Sequence, residues 1–303
     1  MKKLFEHASS SWVRYSGYEW KTTKDGTLYL IPVPGAKPDI YNPLAVYETL
    51  VLDALNIGAM SMSRQPEADI QAAILQFAEN YGLLGLMTAL PTTASFMDYE
   101  AVYLPKNRFF KAETMQTDEY LDHFFPFDKL DLKKEGIVSV WNLAGDRDMM
   151  ALALTMGDKP MAVNLEFQRQ YAEPYEWLEL QFKEWFFTFT TSVLYYEDYD
   201  RLDEDSRNIY RQAMNAFDGN APTYHIALLD KPTIVWNFHS LLLGIQMMFS
   251  FMLTDEQQPI RICRKCTKVF QASRPSAVFC SPRCKNQYNV YKSRQKEKPE
   301  DIR

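Results

Sequence analysis

Apolar positions recur at three- and four-residue intervals along most of the chain, which is the helical period. Asn42-Pro43 reads as a cap followed by a first-turn proline, and Val46, Leu50, Ala54 and Ile57 then mark one face of a helix. Pro66 opens a second, with Ile70, Ile74, Phe77 and Tyr81 aligned and Gly82 as its stop. The strongest stripe is Leu178, Phe182, Trp185, Phe189, Val193 and Tyr196, which predicts a long helix over Pro174–Tyr196 with Glu179, Lys183 and Glu184 off the stripe. A further helix is expected from about Asp205 to Ala216, closed by Gly219, and an apolar one over Phe238–Leu253. Thr117–Phe125 reads as a weak helix. Strand signals are sparser: Thr27–Val33, Glu100–Phe110 as a strand or hairpin edge, and a pair at Pro222–Leu229 and Thr233–Trp236 around Asp230-Lys231-Pro232. Residues 1–41 otherwise read as irregular, and 126–160 carries no clear period.

These elements predict an α+β fold: a mostly helical body over 1–256, then a small C-terminal unit over 257–303. Length supports two units, since 303 residues correspond to roughly two domains. Apolar residues at 47% and aromatic residues at 14% supply enough material for a packed core, so disorder is excluded as the main state. Only 11 glycines occur, which speaks against Gly-rich phosphate loops. Met1-Lys2-Lys3-Leu4-Phe5 runs at once into Glu6 and His7, so no signal-type apolar region develops. The apolar stretch Phe238–Leu253 is shorter than the ~20 residues of a membrane span. A cytoplasmic protein that does not enter membranes is expected.

All four cysteines fall in one short stretch: Cys263-Arg-Lys-Cys266, then 13 residues, then Cys280-Ser-Pro-Arg-Cys284. A disulfide scaffold would spread them through the chain. Zinc requires a tetrahedron of soft ligands at about 2.3 Å, which four thiolates provide. A Cys-x2-Cys turn converges two sulfurs. Ser281 is placed to cap a helix that Pro282 begins, so Cys284 falls in its first turn and faces the same point as Cys280. The positive end of that helix favours thiolate charge. A knuckle, a hairpin and a helix carrying the last ligand form the treble-clef layout, with Phe270 and Phe279 as apolar residues beside the metal. One structural Zn2+ on Cys263, Cys266, Cys280 and Cys284 is the expectation; an iron–sulfur cluster or disulfides are the alternatives. Four protein ligands close the site to a catalytic water.

Charge is divided along the chain. Residues 261–303 hold 12 basic and 3 acidic side chains, whereas residues 1–260 hold 21 basic and 36 acidic. With zinc bound to four thiolates the tail stays near +7, the signature of a polyanion-binding appendage. From Pro282 onward Cys284, Tyr288 and Tyr291 share the face toward the knuckle. Lys285, Lys292 and Lys296 form a neighbouring stripe, and Arg283 and Arg294 lie on the far flank. The inner stripe turns polar at Gln295. Such a helix can follow a phosphate backbone or enter a major groove, which makes Arg283, Lys285, Lys292, Arg294 and Lys296 the candidate nucleic-acid contacts, with DNA as the expected partner. Alternatively the tail docks on its own acidic body, contacts a protein partner, or is a solvated terminus.

The cysteine segment resembles the CGNR zinc-finger family, bacterial proteins with an N-terminal helical ABATE-type domain and a C-terminal treble clef. The resemblance is carried by Cys263-x2-Cys266, Val269-Phe270, Ser273-Arg274, Phe279-Cys280-Ser281 and Cys284-Lys285-Asn286-Gln287, followed by basic residues. It implies a DNA-binding transcriptional regulator. The chain departs from the family at two places: Lys285 and Gln287 stand where the family has Gly and Arg, and Ser276-Ala277-Val278 replaces a basic pair.

No nucleotide-binding glycine loop, nucleophile elbow or H-E-x-x-H pattern occurs, so no catalytic residue is assigned. His7, His123, His225 and His239 are far apart, and His239 reads as a hydrogen-bonded core histidine. The run Glu197, Asp198, Asp200, Asp203, Glu204, Asp205 reads as a solvated helix junction, or as a nucleic-acid mimic that holds the basic finger. The aromatics between Tyr171 and Tyr199 read as core, or as the lining of a small-molecule effector pocket. An enzyme with its pocket in the body is the remaining alternative.

Overall fold

The computed structural model describes residues 8–86, 100–103, 109, 112, 114–127, 165–217, 222–238 and 240–296. The chain is a mixed helix-and-sheet protein. The N-terminal region, expected to be largely irregular, folds into five short strands: β1 (Ala8–Ser9), β2 (Trp12–Tyr15), β3 (Tyr18–Thr22), β4 (Leu28–Pro32) and β5 (Pro38–Tyr41). β2 pairs antiparallel with β5, and β3 with β4, which also pairs with β8 (Glu173–Pro174). The strands are only two to five residues long, so tertiary pairing defines them more than any alternation in the sequence.

Asn42 caps a 3-10 turn over Pro43–Val46 by accepting the Leu44 N–H at 3.1 Å, and α1 (Tyr47–Met62) continues from it. Helix α2 (Glu67–Tyr81) ends at Gly82, whose φ of 91° supplies the left-handed stop predicted for it. β6 (Ala101–Tyr103) pairs with β7 (Thr114–Gln116), which leads into α3 (Thr117–Phe124). Helices α4 (Leu165–Gln170), α5 (Tyr175–Glu197) and α6 (Glu204–Asn215) follow, and β9 (Thr223–Leu228) and β10 (Pro232–Asn237) form the predicted hairpin. β10 also pairs in parallel with β1. Ser240 caps α7 (Leu241–Leu253) through the Leu243 N–H. Gly219, His239 and most of 126–160 lie outside the described residues.

Helix α1 is the centre of the core. It packs against α5, α2 and α7, burying Leu50, Val51, Ala54, Leu55 and Ile57 against Phe77, Phe182, Trp185 and Phe249. Gly58 marks its closest approach to α5, where a Cβ would collide with the Phe182 carbonyl. Among the described residues Pro43–Met62 has the length and apolarity of a membrane span, yet half of it is buried in this core. The α5 stripe holds from Leu178 to Phe189, all buried, and fails at its end, where Tyr196 is exposed.

A buried carboxylate ties the layers together. Glu173 accepts the backbone N–H groups of Leu84 (2.9 Å), Gly85 (2.6 Å) and Leu86 (3.0 Å) and the Tyr171 hydroxyl (2.9 Å). Burial pushes its carboxyl up and the four donors pull it back, leaving it above the usual carboxylate range. The same segment takes the Trp12 indole N–H on the Leu83 carbonyl and the Leu242 N–H on the Leu84 carbonyl. Sequence patterning carries no signal for this anchor.

Candidate metal centre

Strands β11 (Ile260–Ile262) and β12 (Val269–Gln271) pair antiparallel, with Cys263 and Cys266 in the turn between them. The turn closes through the Cys263 N–H to the Lys268 carbonyl and the Thr267 N–H to the Cys263 carbonyl, both 2.9 Å. Thr267 completes it at φ 60°, a left-handed conformation that a β-branched residue adopts only at a cost. Among the described residues no strand pairing is recorded for 272–281. That segment returns to the knuckle instead, where the Arg264 N–H meets the Val278 carbonyl at 3.1 Å.

The last helix, α8 (Pro282–Lys296), starts as its sequence predicts. Ser281 Oγ accepts the Cys284 N–H at 3.2 Å, and Pro282 is the first helical residue. Cys284 therefore projects from the first turn toward the knuckle. The four sulfurs all lie within 4.8 Å of one another, with 3.6 Å between Cys266 and Cys280 and 3.5 Å between Cys280 and Cys284. A tetrahedral ion with bonds of 2.3 Å places its ligands about 3.8 Å apart, so the cluster has the size of a single metal ion's thiolate shell. All four cysteines are free thiols. Together they define a four-cysteine centre able to hold a metal ion.

The electrostatics favour a cation. Burial pushes the Cys263 thiol up, but the backbone N–H groups of Cys266, Cys280 and Lys265 outweigh it and bring it down to about 6. Cys280 goes the other way, to about 12, because of burial and the neighbouring sulfurs of Cys284, Cys266 and Cys263. One thiol ionises readily and the next resists. A bound cation removes that conflict, since thiolates repel each other and a divalent charge neutralises them.

The centre is built against the core. Val269 and Ile260 belong to the same apolar cluster as α1, α5 and α7, and Ile262 packs on it. Asn56 of α1 clasps β12 on its open side: its Oδ1 accepts the Val269 N–H at 2.9 Å, and its Nδ2 donates to the Val269 carbonyl at 3.2 Å and to Leu52 at 2.8 Å. Nothing in the sequence patterning singled out Asn56. The inner stripe of α8 meets the knuckle as expected. Tyr288 packs on Phe279 with ring centroids 5.2 Å apart, and Lys265 Nζ lies 5.7 Å from the Tyr291 ring centroid.

Arg283, Lys285, Lys292 and Arg294 are all exposed, and the side chain of Lys296 lies outside the described residues. Three members of the acidic run, Asp198, Asp203 and Glu204, have local partners. Asp203 caps α6 through the Ser206 N–H, Glu204 pairs with Arg207 and Arg211, and Asp198 pairs with Arg201. Among the described residues none of these acids pairs with the basic side chains of α8. Of the aromatics between Tyr171 and Tyr199, Tyr171, Tyr175, Phe182, Trp185 and Phe189 are core. Trp177 instead joins Phe109, Glu176, Glu179, Leu180 and Lys183 around an open cavity of about 340 Å³. Comparison of the chain with protein-family models, curated proteins and solved structures gave no match.

Proposed function

We propose that this chain is a zinc-binding, DNA-binding transcriptional regulator of the bacterial kind that its cysteine segment resembles, acting in the cytoplasm. Cys263, Cys266, Cys280 and Cys284 hold one structural Zn2+ in a treble-clef finger. Thiolates from a cysteine-only set suit zinc, and four ligands leave no open position, so the ion fixes α8 against the knuckle and does no chemistry. Arg283, Lys285, Lys292, Arg294 and Lys296 then meet the phosphate backbone on the exposed flanks of α8, with Lys supplying phosphate attraction more than base readout. The observation that carries this reading is that the four described cations of α8 stand exposed, while Asp198, Asp203 and Glu204 of the acidic run have partners within their own helix junction. The body contributes the second half of a regulator, the part that responds to a ligand or a protein.

The test uses the full chain. Elemental analysis of the purified protein should find one zinc per chain, and a labelled duplex titrated by anisotropy should bind with log K falling against log salt at a slope of about −4.5, for five phosphates neutralised. Absence of zinc overturns the metal assignment. Absence of duplex binding at 50 mM salt, with zinc present, overturns the nucleic-acid assignment and leaves the finger as a structural element.

A further inference from the structure

The β9–β10 hairpin has its polarity reversed. Its register pairs Tyr224 with Trp236, Ile226 with Ile234 and Leu228 with Pro232, so these six apolar residues share one face. The opposite face carries Thr223, His225, Ala227, Thr233, Val235 and Asn237. In a hairpin that packs on its own core the first face is the buried one. Here it is the exposed one: Tyr224 is 63%, Ile226 67%, Leu228 85% and Ile234 40% exposed, with Leu229 at the turn 64%. The inward-facing His225, Ala227, Thr233 and Val235 are half-buried. The apolar ladder starts against the core at Trp236, which packs on Tyr224 at 5.4 Å, and runs outward to Leu228. No Lys, Arg, Asp or Glu interrupts either strand, and among the described residues β9 is the edge of its sheet, without the charged or proline gatekeepers that edge strands usually carry.

We infer that this face is a homodimer interface, in which the hairpins of two copies stack face to face about a two-fold axis passing near Ile226. An uncharged apolar ladder needs a partner surface that is equally apolar and of matching shape, and every other copy of the chain offers one. An isologous contact closes on itself, which is why such a patch gives a dimer and not a fibre. The exposed ladder amounts to on the order of 600 Å² per copy, the upper end of what a monomer ordinarily leaves open, and stacking two removes roughly 1,200 Å², the lower end of a stable interface. The inference rests on the hairpin alone and is independent of the metal and nucleic-acid readings.

Light scattering on size-exclusion fractions of the full chain tests it. At tens of micromolar the expected mass is twice the 35.4 kDa of one chain. Leu228→Asp combined with Ile226→Asp should raise the dimer dissociation constant at least about 100-fold, because one charge sits at the centre of an apolar contact and the other within it. Leu228→Asp alone provides the folding control: at 85% exposure its side chain supports little of the monomer, so its circular dichroism should match the parent while its dimer weakens. A parent chain that is monomeric at all concentrations overturns the inference. So does a dimer that survives both substitutions, or a copurifying different protein whose loss accompanies them.

Discussion

Asn56→Ala is the most informative perturbation, because one side chain joins the metal hairpin to the central helix. Asn56 supplies an acceptor to the Val269 N–H and a donor to the Val269 carbonyl, at a residue that is itself buried. Alanine leaves both backbone groups without these partners. An unpaired buried group costs about 1–3 kcal/mol, and these two lie in a partly buried seam, so the low end applies and the expected loss is about 2–3 kcal/mol. For a chain of this size a urea slope near 3 kcal/mol per molar converts that to a midpoint shift of about 0.7–1 M. The six tryptophans lie at positions 12 to 236, all N-terminal to the cysteines, so their fluorescence follows the body while a chromogenic zinc chelator follows the centre. Because Ile260 and Val269 sit in the body's own apolar cluster, both signals should move together. An unmoved tryptophan transition would refute the reasoning. So would zinc leaving at a lower urea concentration while the body stays folded, since the hairpin would then be a separate unit.

Thr267→Gly should slow zinc release and raise the unfolding free energy by about 0.5–1 kcal/mol, since a β-branched residue at φ 60° carries strain that glycine lacks; faster release would contradict it. Glu173→Gln should cost about 1–3 kcal/mol in urea unfolding, because the amide oxygen can keep the three donors of Oε1 while the NH2 stands against the Leu84 N–H that Oε2 accepted; a loss below 1 kcal/mol would mean water relieves the site. Burial beside Trp177 lowers the His123 pKa below 6.5, against the pull of Glu119 and Asp122. The neutral imidazole's stabilising contribution is then fully present above pH 6.5 and is lost as pH falls through the folded value; an NMR titration midpoint at or above 6.5 excludes this. Replacing Lys285 and Lys292 with Ala should change the salt slope from about −4.5 to about −2.7 at unchanged zinc content, and an unchanged slope removes these two from the contact.

The parts of the fold that were legible in the sequence are those where one residue type repeats at a fixed interval. Ile70, Ile74, Phe77 and Tyr81 are all buried on α2, and Gly82 stops it, because a helix against a core must present an apolar stripe and terminate at a residue that tolerates positive φ. The cysteine cluster was legible for a related reason, since ligand spacing is fixed by the geometry of one ion. The N-terminal strands were not. Trp12–Tyr15 and Pro38–Tyr41 are too short to show alternation, and their partners lie more than 20 residues apart. Asn56 and Glu173 were missed because each acts through backbone groups of a distant segment, which no local pattern records. The β9–β10 pairing was visible as two β-rich runs, but its reversed polarity emerges only when register assigns residues to faces.

Helix α8 shows why a metal ion suits this design. A 15-residue helix with so few apolar side chains has little to bury, and isolated helices of that length are marginal in water. Its inner stripe offers only Cys284, Tyr288 and Tyr291, of which Tyr291 remains exposed beside Lys265. Hydrophobic packing alone cannot hold such an element, and adding apolar residues would remove the cations from its flanks. A thiolate-bound ion would resolve the conflict, because a structural zinc site of this kind is worth about 10–16 kcal/mol of apparent binding energy. The outer surface is then free to carry charge. On the proposed reading the hairpin has to be fixed to α1, since an ion can orient α8 only as firmly as the knuckle that bears it, and the Asn56 clasp with buried Val269 ties that knuckle to the core.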